Sequence, residues 1–159
     1  KVAKNTEHPF VVTAGELEVL VTGTTFGVRA YKDEKDIQTT LESGQVTVRV
    51  EGKSVKLVPN KQVLFNKSTM GLEVRDVDVD LYLAWADGRL VYDNCPLEKI
   101  LTDLGRWYNI DVFYSRDELR SYQFSLNMKK HEEFTQVLEL IGKTGEVQFE
   151  IKDNTVIVK

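Results

Sequence analysis

The sequence is short of the residues from which most chemical sites are built. It holds one cysteine, Cys95, so no intrachain disulfide can form and the redox compartment stays open. The only histidines are His8 and His131, so a structural zinc site made of four His and Cys ligands is excluded. No apolar run reaches about 18 residues, the length a membrane-spanning helix needs. There is no basic excess: 21 Lys and Arg stand against 25 Asp and Glu, a net charge of −4. Nucleic acid is therefore not expected as a partner, because phosphate binding needs a basic face. The one Gly-rich stretch, Gly23-Thr24-Thr25-Phe26-Gly27, lacks the dinucleotide spacing, a following helix and the P-loop lysine. It reads as strand glycines that let neighbouring chains approach closely. No cofactor, metal site or catalytic residue is expected.

What is present is an ordinary globular composition, 42% apolar and 29% charged over 159 residues, enough for one medium or two small domains. The chain begins at Lys1 rather than Met and is read as a piece of a larger protein, any leader or anchor lying outside it. Two patterns meet near residue 80. Before it, apolar residues alternate in short runs: 10–13, Leu17/Val19/Val21, Phe26/Val28/Ala30, Ile37/Thr39/Leu41, Val46/Val48/Val50, Val55/Leu57, 63–65 and 72–79. Turn residues separate them every 8–12 positions, which predicts an all-β domain over 1–80, an antiparallel sandwich or a short solenoid. After it the period changes. Leu97, Ile100, Leu101, Leu104 and Tyr108 fall on one helical face, with Pro96 just inside the helix start and Asn94 or Cys95 as its cap. Phe134, Val137, Leu138 and Ile141 mark a second helix ended by Gly142 or Gly145, and Asp153-Asn154 a tight hairpin turn. The predicted order over 88–159 is β-α-β-β-α-β-β, a small α+β domain, with 81–87 as the joint.

Four clusters are weighed for chemistry. Cys95 and His131 lie 36 residues apart without a triad context, so Cys95 reads as a small thiol at a helix start. Asp76, Asp78 and Asp80 alternate along an expected strand, on one face and about 7 Å apart. Such a row can help hold Ca²⁺, but exposed charge is the ordinary condition of these residues. Trp85, between the halves, is expected to pack one domain on the other. Gln123, Ser125 and Asn127 alternate with Phe124, Leu126 and Met128, which gives one strand a polar face open to a partner. Recognition of another protein through strand edges and polar faces fits best. A carbohydrate-binding module using the two Trp and six Tyr is the alternative; a glycosidase is a weaker one.

The stretch from Val19 to Tyr31, VLVTGTTFGVRAY, resembles the VLGT-x-F-x-V-x-A-Y segment of FecR-family anti-sigma factors. In the same order follow residues 37–48 and 57–62, similar to that family's Val-rich strand pair and L-x-P-G turn, with Asn60 in place of the turn Gly. Tyr82–Tyr92, Pro96–Leu101 and Arg106–Ile110 resemble its W-x-x-G-x-L-x-F joint and its P-L-x-x-[IV]-L … R-W-Y helix. The second half is similar to the small signalling domain of secretins and TonB-dependent receptors, in the Bacteroidetes version. The resemblance implies a single-span inner-membrane protein of which this chain is the periplasmic part. It further implies two partners: the N-terminal signalling domain of a TonB-dependent outer-membrane receptor, and an extracytoplasmic-function sigma factor held through an N-terminal segment missing here. The expected role is to relay a signal from that transducer to the sigma factor.

Overall fold

The computed structural model describes residues 1–5, 7–129 and 133–159. His131, and with it the expected Cys95–His131 pairing, lies outside the described residues. The chain divides into two compact units, Lys1–Leu83 and Ala84–Lys159.

Among the described residues the first unit carries eight strands: β1 (Phe10–Ala14), β2 (Leu17–Val21), β3 (Thr25–Arg29), β4 (Asp36–Ser43), β5 (Val46–Val50), β6 (Lys53–Leu57), β7 (Lys61–Asn66) and β8 (Gly71–Asp76). They form two antiparallel sheets of four strands, ordered β1-β2-β5-β6 and β3-β4-β7-β8. The alternating apolar residues fill one shared core: Leu17, Val19 and Val21 of the first sheet meet Ile37, Leu41, Val63 and Phe65 of the second. Each such side chain contributes about 1.5–3 kcal/mol on burial, so this face sets the register. Turns follow from local chemistry. Glu51 and Gly52, at φ of 42° and 76°, make a two-residue hairpin between β5 and β6. Asn60, at φ 65°, takes the left-handed conformation that the turn before β7 requires, as Asn does more readily than most residues.

One expectation fails here. The alternation over 72–79 does not continue as a strand, because β8 stops at Asp76 and a single helical turn, α1 (Asp80–Leu83), follows. The Asp78 carboxylate accepts from the Asp80 backbone N–H at 3.0 Å and so acts at the start of that turn. Asp76 instead pairs with Lys61 at 2.6 Å. The three aspartates therefore form no common strand face, and the alternation alone could not reveal the turn-forming role of Asp78.

The second unit begins with a 3-10 turn, Ala84–Asp87, followed by β9 (Arg89–Pro96), α2 (Leu97–Tyr108), β10 (Asp111–Tyr114), a 3-10 turn (Asp117–Ser121), β11 (Gln123–Lys129), α3 (Phe134–Gly142), β12 (Phe149–Lys152) and β13 (Thr155–Val158). The order is the β-α-β-β-α-β-β expected. β9 and β11 form an antiparallel pair, while β13 lies between β10, its parallel neighbour, and β12. Leu97, Ile100, Leu101 and Leu104 of α2 and Val137, Leu138 and Ile141 of α3 pack against Leu90, Phe124, Leu126, Val156 and Val158 in one core. The start of α2 also differs from expectation. Asn94 and Cys95 lie within β9, Cys95 opposite Phe124 of β11, and the residue flanking the helix is Pro96, with no side-chain cap. The first helical amide, that of Leu97, donates instead to the Tyr122 carbonyl at 2.7 Å, which satisfies one of the donors a cap would have served.

Candidate functional site: the exposed face of the β9–β11 ladder

In β11 the exposed and buried positions alternate strictly from Gln123 to Asn127. Phe124 and Leu126 enter the core, and Gln123, Ser125 and Asn127 stand on the outer face. Across the ladder Gln123 lies opposite Pro96, Asn127 opposite Val91, and Lys129 opposite Arg89. The face thus mixes the polar residues of β11 with Pro96 and Val91 of β9 and is cationic at the Lys129–Arg89 end.

The ladder is not regular. Its register shifts between Phe124 and Leu126, which pair with Cys95 and Tyr92, so the single residue Ser125 opposes both Asp93 and Asn94. This is a β-bulge, and Asn94 adopts φ 43° within it. Ser125 pins the bulge in both directions: its hydroxyl accepts from the Asn94 N–H at 2.9 Å and donates to the Asp93 carboxylate at 3.1 Å. Of the three polar residues on this face, Ser125 therefore has a local structural task, while Gln123 and Asn127 present their amides outward. No feature of the sequence pattern marked Asp93 and Asn94 as part of this surface, because a bulge has no periodicity.

The ladder is fastened to α2 by a buried carboxylate that alternation did not single out. Asp103 is only 3% exposed. It accepts from the Tyr92 hydroxyl at 3.1 Å and the Lys99 ammonium at 2.9 Å, and Arg106 approaches its other oxygen at 3.6 Å. Charge and hydrogen-bond partners together offset its desolvation. The i, i+4 and i, i+3 spacing of Lys99 and Arg106 about Asp103 is legible in the sequence; the Tyr92 contact from β9 is not.

In the same unit, the Arg120 guanidinium lies 4.2 Å from the centre of the Tyr114 ring. It also pairs with Glu98 at 2.9 Å and Asp117 at 3.1 Å. Burial pushes the Tyr114 hydroxyl up to about 12; the Arg120 charge pulls it down and the Glu98 charge raises it. Glu150 is held down to about 2 by hydrogen bonds from Lys159 and Lys152.

Trp85 sits in the 3-10 turn that opens the second unit and is 48% exposed. Cys95 is a half-buried thiol that takes part in no disulfide. Among the described residues no group of three or more His, Cys, Asp or Glu is placed to hold a metal ion, and no helix is long and apolar enough to cross a membrane. Gly23 and Gly27 serve packing: a Cβ on Gly23 would stand 2.6 Å from the Lys4 Cα, and one on Gly27 would strike Leu83.

Residues 89–158 match the family described as FecR, C-terminal. The match lies within the second unit, Ala84–Lys159, and spans most of it. Two crystal structures of a candidate anti-sigma factor from Parabacteroides distasonis, at 1.65 and 2.50 Å resolution, share the fold. They superpose with TM-scores of 0.82 and 0.81 at 21% identity, covering 99% of this chain and 74% and 73% of theirs. No curated protein matches the sequence.

Proposed function

We propose that this chain is the periplasmic part of a FecR-type anti-sigma factor. In this reading a TonB-dependent outer-membrane receptor delivers its signal through its own N-terminal signalling domain to the second unit. In the whole protein a membrane-spanning segment and a sigma-binding segment pass the signal to an extracytoplasmic-function sigma factor. The observation that carries the proposal is the match of residues 89–158 to the family described as FecR, C-terminal; the fold shared with a candidate anti-sigma factor supports it.

The contact surface we assign is the outer face of β11, with Gln123 and Asn127 as the contacting residues and Ser125 as the residue that holds the bulge between them. A polar face on a rigid ladder suits a reversible signalling contact, because its amides stay hydrated when unbound and exchange water for partner groups on binding. Calorimetry with the signalling domain of a receptor encoded beside this chain tests the proposal. Saturable 1:1 binding at about micromolar affinity is expected, weakened by at least about tenfold in a Gln123→Glu/Asn127→Glu double variant that unfolds like the parent. Absence of binding to every neighbouring receptor domain by the folded chain would refute the relay. Full binding by the double variant would refute the assigned face alone.

A further inference from the structure

Among the described residues the first unit has four edge strands, β1 and β6 in one sheet and β3 and β8 in the other. An edge strand offers unpaired backbone groups to any passing strand, and proteins guard it with charge, proline or a covering segment. Three of the four carry charge: β6 has Lys53 and Lys56, β8 has Glu73, Arg75 and Asp76, and β3 ends in Arg29. The fourth, β1, reads Phe-Val-Val-Thr-Ala and has neither a charge nor a proline. Its Phe10 and Val11 are 52% and 47% exposed.

We propose that β1 pairs antiparallel with β1 of a second copy of this chain, joining two four-stranded sheets into one. The hairpin fixes the register. Ala14 and Leu17 are partners across the two-residue turn Gly15-Glu16, and the closing pair of such a turn exchanges both of its hydrogen bonds. By alternation Val11 and Thr13 direct their N–H and C=O groups away from β2, towards the open edge. With the two-fold axis at Val12, Val11 of each copy lies opposite Thr13 of the other and both pairs of outward groups are satisfied. Phe10 then faces Ala14, a large side chain against a small one, and no charge opposes a like charge within the strand. Just beyond the strand ends the same register brings the exposed His8 of one copy beside the exposed Glu16 of the other, at both ends. This self-complementarity identifies a second copy as the occupant. A five-residue strand pair is smaller than a standard stable interface, so the dimer forms reversibly with concentration.

Sedimentation equilibrium of the whole chain, from about 10 μM to about 1 mM, tests this. A monomer–dimer equilibrium is expected, with amide exchange at Val11 and Thr13 slowing as concentration rises. Val11→Lys, at a side chain already in solvent, is expected to weaken association by about tenfold or more. Thr13→Pro, which removes an outward N–H, is expected to do the same; should that variant fail to fold, Val11→Lys decides alone. A monomer at every concentration overturns the proposal, as does a dimer that Val11→Lys leaves unchanged.

Discussion

Tyr114 shows how a single side chain in this protein responds to its surroundings. Its ordinary pKa of 10 is raised to about 12, chiefly by burial. A group whose folded pKa is raised gives a contribution that is complete below its unfolded pKa and disappears as pH rises through the folded value. The second unit should therefore keep its stability to about pH 10 and lose the Tyr114 contribution between about pH 10 and 12. Ultraviolet titration against a Tyr114→Phe control should place the midpoint near the upper value. Glu98→Gln should lower it, because Glu98 raises it. Gly44 makes a different residue-scale point. At φ 90°, with its missing Cβ 2.5 Å from the Gly23 carbonyl, it accepts no other residue without moving backbone.

At the scale of elements, the sheet β3-β4-β7-β8 separates what the sequence shows from what it conceals. Alternation in Ile37/Thr39/Leu41 and Val63/Phe65 marks the core face correctly. It assigns Gln62 and Thr40 to water, yet Gln62 is fully buried and Thr40 nearly so. The reason lies outside those strands. Tyr82 and Leu83 of α1 lie over the outer face of this sheet: Leu83 sits where a side chain on Gly27 would be, and the Tyr82 hydroxyl meets Arg75 at 3.1 Å. Arg75 donates to the Gln62 side-chain oxygen at 2.6 and 2.9 Å, and the Gln62 amide donates to the Thr40 hydroxyl at 2.6 Å. A polar row beneath one helical turn has no period of its own, so only the packing reveals it. Gln62→Leu takes from Arg75 its Gln62 acceptor and from Thr40 its Gln62 donor, and should cost about 2–3 kcal/mol, read as a lower denaturant midpoint at unchanged slope. The polar face of β11 is the converse case. Its alternation was fully legible in the sequence, whereas the bulge that fixes its outline depends on Asp93 and Asn94 crowding opposite one serine.

For the molecule as a whole, strand identity was readable and strand partnership was not. β2 pairs with β5 across an intervening hairpin, and β9 with β11 across a helix and a strand; periodicity carries no information about such distant partners. The same holds for β13, which joins β10 in parallel and β12 in antiparallel fashion. Deleting residues 155–159 should abolish the cooperative unfolding of the second unit while leaving that of the first, seen by calorimetry as the loss of one transition. Survival of both transitions would show that the centre of this sheet is dispensable.

Among the strands of the second unit, that central strand is also the last to be made. A ribosome, or a translocation channel passing the chain N-terminus first, releases β10 and β12 before the strand that must lie between them. The first unit completes its hairpins in the order of their arrival, but the second can only wait, its two halves of a sheet held apart until β13 is free.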